Sequence, residues 1–405
     1  MPNASRVGIR QMMGNEVLRW DARSLAVAGV AALSFVAPNL AWREGALLCL
    51  LVLLTSLRTF RPAPADFAAI GLTGLAFTSL LWTSSTALTV TTSVNLATSV
   101  VVFMSVRAVC RRRRDVVIVG SGMIAGATIA VLAAAHNASG FRLAVQATAD
   151  RVGVNGVNVN FTAYSLVTAA AVMSALVVFR RNRSDYYRLA AAGAFLAVVY
   201  LGVVLTGARG AMLSLVGLVV WLVASRFLPR LVWWALIVVF VISNAAIALG
   251  WSDALLRRSA TGSTRETGDL NGRLGVWPLA RHVFEDNWLL GGGAGSLPSA
   301  PGNTMGINAH AVVLDVAAGL GSLGIVAFAS VWILALREPM STADTRVIRA
   351  VGAFLVVSLP VILTGFWFES IVLWSAIAFF SRVDVLALAD GRSYSDEVLG
   401  VTDDR

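Results

Sequence analysis

The 405-residue chain is 57% hydrophobic and only 13% charged, with a net charge of +10 and a mean hydropathy of +0.77. Soluble domains carry about 25% charged residues, so this composition excludes a water-soluble globular protein. The positive charge does not point to nucleic acid either, because the arginines cluster in short segments between apolar runs, as the positive-inside rule requires of a membrane protein.

From the N-terminus, Arg6, Arg10, Arg19 and Arg23 precede the first apolar run, and no convincing small-residue cleavage site follows. That pattern predicts a retained first helix rather than a signal peptide. Apolar segments then fall at 24–41, 45–57, 67–82, 88–106, 116–135, 161–179, 189–206, 210–225, 232–250, 309–336, 350–366 and 370–388. Roughly 18 apolar residues in a helix cross a hydrocarbon core about 30 Å thick, so the reading is an all-α polytopic bundle of about twelve transmembrane helices. It forms one membrane domain over 1–405: nine helices in 24–250, a long outer loop at 251–308, three helices in 309–388 and a cytoplasmic tail at 389–405.

Alternation puts Arg58 and Arg61, Arg107 with Arg111 to Arg114, Arg180 to Arg188, Arg226 and Arg230, and Arg337 to Arg349 on one side. The positive-inside rule makes that side the cytoplasm, with both termini there and the membrane the cytoplasmic (inner) one. Two outer loops are large, 136–160 and 251–308, whereas Trp42-Arg43-Glu44 and the turn at Thr206–Gly210 are short. The latter turn nevertheless carries Arg209. Cys49 and Cys110 sit in apolar and basic surroundings and predict neither a disulfide nor a metal site. All 32 basic residues are arginine, with no lysine, so any cation at a site stays protonated and can hold phosphate bidentately.

In the long outer loop, Leu274, Trp277, Phe284 and Trp288 recur at helical spacing after Arg273, which predicts an amphipathic helix in the outer interface. Pro278 either kinks it or marks its first turn. The run Gly291-Gly292-Gly293-Ala294-Gly295 reads either as backbone approaching a phosphate or as a plain flexible turn. It is not a nucleotide loop, for want of Gly-Lys-Ser/Thr.

Ionisable groups at the edge of membrane segments are costly and are candidates for function. The outer side offers Arg209, Arg273, Arg281, His310, Asp315 and Glu369. Asp315 lies about 7.5 Å deeper than His310 at about 1.5 Å per residue, and its depth calls for a partner, for which Arg209 is one candidate. Glu369, between the last two segments, reads as an ordinary outer-turn charge. His-Glu-x-x-His, Cys-x-x-Cys, Gly-x-Ser-x-Gly and an outer Asp-x-Asp are all missing from the sequence, so no metal site and no cofactor is expected.

Three stretches resemble the O-antigen ligases and Wzy-type O-antigen polymerases. Leu205-Thr206-Gly207-Ala208-Arg209-Gly210-Ala211 is similar to the family turn T-x-S-R-G-A. Gly272-Arg273 with Trp277, followed by Asn287-Trp288-Leu289-Leu290-Gly291-Gly292-Gly293, is similar to G-R…W…P-L-x-G-x-G. Ala309-His310 with Leu314, Gly321 and Gly324 is similar to H-N-x-x-L…E-x-G-x-x-G, and the asparagines from Asn155 to Asn160 resemble the one ahead of the sixth helix. Three positions depart from the pattern: Ala208 for serine, Ala311 for asparagine and Gly319 for the acid. Either Asp315, one helical turn away from Gly319, substitutes for that acid, or the site takes a different acceptor.

The resemblance implies glycan transfer from a polyprenyl-diphosphate carrier to a sugar hydroxyl on a glycan or lipid-glycan acceptor, outside the membrane and without metal. Under it, His310 is the general base, Arg209 and Arg273 grip the diphosphate, and Arg281, Asp315 and Asn160 are supporting residues. Direct displacement inverts the anomeric centre. The expected partners are the donor, the acceptor and membrane lipids, with no nucleic acid. The alternative is a transporter or channel for a small anion, which predicts charge at mid-bilayer and paired broken helices.

Overall fold

A computed structural model describes residues 21–144, 154, 157–179, 186–250, 273–342, 344–365 and 368–387. Arg6, Arg10 and Arg19, Asn155, Arg180 to Arg183, residues 251–272 of the outer loop and the tail from Asp390 lie outside the described residues. The described chain is helical: α1 Ala22–Val36, α2 Pro38–Ser56, α3 Pro64–Thr78, α4 Thr86–Val109, α5 Arg113–Ala144, α6 Val159–Val178, α7 Tyr186–Thr206, α8 Arg209–Phe227, α9 Pro229–Ala248, α10 Arg273–Asp286, α11 Val312–Met340, α12 Thr345–Thr364 and α13 Ile371–Phe380. Ten of the described helices are long and apolar enough to cross a membrane. With α1 and α13 beside them, the expected bundle of about twelve membrane helices is what the chain forms.

The structure redraws several boundaries. The break after α1 falls at Ala37, whose backbone leaves the helical region (φ −139°, ψ 69°), because Pro38 cannot continue a helix and restricts the residue before it. Trp42-Arg43-Glu44 is therefore not a loop. It forms a π-helical turn, Ala41–Gly45, inside α2. The first large outer loop also starts later than 136, since α5 continues to Ala144.

The last helix is the largest revision. The apolar run 370–388 contains a helix of only 10 residues, α13, about half the length needed to span at about 1.5 Å per residue. Every α13 residue is buried. Ahead of it, the chain from Phe368 to Ser370 lies inside the bundle: Ser99 Oγ donates to the Glu369 carbonyl at 2.7 Å and Trp374 Nε1 to the Phe368 carbonyl at 2.8 Å. Ser99 lies thirteen residues into α4, about 20 Å along its axis. Non-helical backbone at that depth is tolerated because protein, not lipid, surrounds it.

Helix ends that the arginine count groups together do meet at one end of the bundle. Arg107, fully buried at the end of α4, donates to Asp66 at 2.9 Å and to Glu338 at 2.9 Å. The other Glu338 oxygen takes Arg382 at 2.8 Å. Asp66 also caps α3 by accepting the Ala63 N–H at 2.7 Å, and Arg113 binds the carbonyls of Phe179 and Leu386. One ionic network thus ties α3, α4, α11 and the chain after α13, and both carboxylate oxygens of Asp66 and of Glu338 accept a hydrogen bond.

Candidate functional site

At the opposite end, α11 begins with an unusual turn. His310 has φ +54° and is the one non-glycine residue with positive φ among the described residues. That region costs an L-residue roughly 1–2 kcal/mol and persists only where surrounding contacts impose it. Three contacts do so here. Trp277 Nε1 of α10 donates to the Ala309 carbonyl at 2.8 Å, and Asp315 Oδ1 accepts the Ala309 N–H at 2.8 Å. The same carboxylate lies beside the N–H groups of His310 and Ala311. Asp315 is thus held by backbone amides, not by Arg209. Its carboxyl holds the histidine turn from one helical turn below.

α10 explains the stripe in the outer loop. It is a helix from Arg273 to Asp286 with Pro278 inside it, beyond the first turn. Its inward face is Val276, Trp277 and Ala280, which form a small core with Leu297, Ala300, Ala309, Ala311, Leu314 and Ala318. Trp277 is therefore a core anchor, while Trp288 beyond the helix is the exposed aromatic. Arg273 opens α10 one turn before Trp277, and so stands one turn from the residue that binds Ala309. The Arg273 side chain lies outside the described residues. Arg281 is half-buried and donates to the Ile247 carbonyl at 3.1 Å from Nη2, which puts a cation at the negative end of α9.

Arg209 opens α8 and is exposed. Its side chain makes no hydrogen bond or ion pair among the described residues. Next to it, a Cβ on Gly210 would lie 2.6 Å from the Tyr164 hydroxyl and 3.0 Å from Thr364, and those two hydroxyls share a hydrogen bond of 2.6 Å. Only glycine lets α8 approach so closely. Asn160 lies one turn before Tyr164 on α6, its N–H on the Asn158 side chain at 2.8 Å. Leu363, beside Thr364, packs on the core formed by Trp277, Ala309 and Leu314. A chain of contacts therefore joins the Arg209 turn, the start of α6, the end of α12 and the His310 turn at one end of the bundle.

The glycine run is neither a phosphate loop nor a plain turn. Gly292 and Gly293 N–H groups donate to the Ala318 and Gly319 carbonyls at 2.8 and 2.9 Å. In return, the Ser322 N–H donates to the Trp288 carbonyl at 2.8 Å. α11 is broken at Gly321 (φ +64°, ψ −161°), and the 288–293 strand of chain fills the hydrogen bonds that the break frees. A Cβ at Gly319 would lie 3.1 Å from the Gly293 carbonyl, which accounts for glycine where the family pattern has an acid.

The other two departures also have local causes. Ala311 is 1% exposed within the Trp277 core, where an asparagine amide would lose its water. Ala208 is the N-cap of α8 and supplies no side-chain cap, so the first amides of α8 stay open beside Arg209 at the positive end of the helix dipole.

Glu369 is the residue that loop counting misreads. It lies on the re-entrant segment, its carboxyl bonded to Asn95 and within electrostatic reach of Asp315, with Oε2 buried and lacking a partner among the described residues. An unbroken apolar run hides this from the sequence. Among the described residues, no three His, Cys, Asp or Glu side chains cluster as metal ligands do.

A family model described as O-Antigen ligase matches residues 192–329. The match runs from α7 into α11 and contains Arg209, Arg273, Arg281, His310 and Asp315, leaving Asn160 and Glu369 outside. No curated protein matches the chain. Over this stretch the chain is O-antigen ligase-like, which supports a multi-pass membrane enzyme of the ligase or polymerase type acting in polysaccharide assembly.

Proposed function

We propose, from the O-antigen ligase likeness of residues 192–329, that the protein transfers a glycan from a polyprenyl-diphosphate carrier to an acceptor hydroxyl at the outer face of the membrane. The observation that carries this reading is the pairing of an exposed Arg209, without a partner among the described residues, with a strained, clamped His310 at one end of the bundle. The arginine-rich ionic end then faces the cytoplasm, with both termini, and the site faces outward.

In this reading, His310 takes the proton of the acceptor hydroxyl as its oxygen bonds to the anomeric carbon. The bond from that carbon to the diphosphate oxygen breaks, and its electron pair leaves with the diphosphate. Arg209, the open amides of α8 and Arg273 stabilise the developing charge, the part a metal ion plays elsewhere. Attack opposite the leaving group inverts the anomeric centre. Asp315 fixes the histidine turn, Arg281 braces the loop helix against α9, and Asn160 lines the approach beside Tyr164.

The test is transfer by the purified protein in proteoliposomes, with a polyprenyl-diphosphate-linked glycan and a separate glycan acceptor. Product is expected in the presence of EDTA, with the anomeric configuration inverted by NMR. Loss of activity on chelation, restored by a divalent ion, overturns the metal-free mechanism; a retained configuration overturns direct displacement.

A further inference from the structure

The ionic end of the bundle contains arginines that no ion pair among the described residues neutralises. Within that network Asp66 and Glu338 balance Arg107 and Arg382. Three more arginines, Arg58, Arg61 and Arg111, share a cavity of about 530 Å³ with Arg382, Thr59 and Phe60. The side chains of Arg58, Arg61 and Arg111 make no hydrogen bond or ion pair among the described residues. Their crowding is felt: the Arg111 pKa is lowered, by burial first and then by the charges of Arg382, Arg23 and Arg61.

Like charges gathered around one hollow repel unless an anion joins them. The hollow lies within the range of small-ligand sites, about 300–1,000 Å³, and holds more than a bare phosphate. A second observation says what kind of molecule brings that anion. α2 leads straight into the cavity, and Leu47, Leu50, Leu51, Leu54 and Leu57 along it are exposed. Leu47, Leu50 or Leu51, Leu54 and Leu57 recur at three- to four-residue steps and end at Arg58, so an apolar stripe runs along the helix and stops at the cations. An amphiphile with a negatively charged head matches that order, and a free anion has no use for the stripe.

We propose that the cavity among Arg58, Arg61, Arg111 and Arg382 binds the phosphate of an anionic phospholipid headgroup, whose acyl chains lie along the exposed leucines of α2. The guanidinium forks of three arginines offer bidentate hydrogen bonds to the phosphate oxygens. Arg382, fixed by Glu338 at 2.8 Å, couples the bound lipid to the network that ties α3, α4 and α11. This site is separate from the transfer site at the opposite end and holds whether or not that chemistry is as described.

Native mass spectrometry of the purified protein in a neutral detergent tests this, with phosphatidylglycerol, phosphatidylcholine and inorganic phosphate as probes. Phosphatidylcholine has the same phosphate without net charge. Wild type is expected to retain phosphatidylglycerol at least about tenfold better than phosphatidylcholine, and millimolar inorganic phosphate is expected not to displace it. The variant Arg58→Gln, Arg61→Gln, Arg111→Gln is expected to lose this preference. A control with equal charge change on the same end, Arg226→Gln, Arg230→Gln, Arg337→Gln, is expected to keep it.

Three results overturn the proposal: a pocket variant that still prefers phosphatidylglycerol, a control variant that loses the preference equally, or displacement of the lipid by inorganic phosphate. Arg61→Gln alone, read the same way, decides the matter if the triple variant does not fold.

Discussion

The two ends of this bundle handle charge in opposite ways. At the end with Arg107, a fully buried guanidinium reaches Asp66 and Glu338, and Glu338 reaches Arg382. At the other end, Arg209 stands exposed with no partner among the described residues, and His310 occupies a backbone region that other residues avoid. The first arrangement satisfies its charges and holds helices together. The second leaves a cation ready for a ligand and keeps a strained turn in place, which is where reaction chemistry is usually found. Structure and activity should therefore separate by end when each is mutated.

The largest effect is expected at His310. His310→Ala should lower transfer by about 10²- to 10⁴-fold, the usual contribution of a positioned general base. Thermal unfolding should change far less than turnover, since the Trp277 and Asp315 contacts that hold the turn are to Ala309 and stay in place. Full transfer activity in this variant would falsify the base assignment. At the other end, Arg107→Met should cost roughly 3–5 kcal/mol, because Asp66 is left buried and uncompensated. It is expected to reduce the yield and melting temperature of folded protein while the folded fraction transfers at nearly the wild-type rate. Equal loss of turnover in both variants would erase the distinction between the ends.

Arg209→Gln comes next. Removing one charge-stabilising donor typically lowers turnover by about 10²- to 10³-fold. Because the side chain has no partner among the described residues, the melting temperature should not move. A melting temperature that falls with activity would mean that Arg209 supports the fold rather than a substrate.

Much of this division was legible in the sequence. Charge spacing located both ends, since arginine clusters between apolar runs alternate regardless of how the helices pack. The short turn at Arg209 and the lone histidine at the start of a long apolar run were visible for the same reason. What stayed hidden depends on tertiary contact. The carboxylate of Asp315 was expected to find Arg209, but backbone amides six residues or fewer away were closer. The glycine run read as a turn because its hydrogen-bond partners, the carbonyls of Ala318 and Gly319, become free only where α11 breaks at Gly321. The re-entrant segment around Glu369 was invisible, since an apolar run reads alike whether it spans the membrane or folds back inside protein.

Asp315→Asn probes the link between clamp and catalyst. The amide keeps the size of the side chain and one accepting oxygen, but puts an NH2 group where the carboxyl has its second oxygen among the amides of residues 309–311. Losing one hydrogen bond costs about 0.5–1.5 kcal/mol, so a drop in turnover of up to about tenfold is expected, with the apparent affinity for the donor nearly unchanged. A change confined to donor affinity would instead place Asp315 on the substrate.

The smallest effect, and the one that tests the contact between loop and membrane helices, belongs to Gly293. Its φ of +107° suits glycine, and an added Cβ would fall 2.4 Å from the Cβ of Thr83. Gly293→Ala should cost about 1–3 kcal/mol of stability. The wedge that fills the break in α11 would shift, and with it the register of α10 against Ala309. Transfer should fall only modestly, because Trp277 still anchors α10 directly beside the histidine turn. Pairing Gly293→Ala with Trp277→Phe separates the two supports: if both hold one turn, their losses in turnover will exceed the product of the single effects.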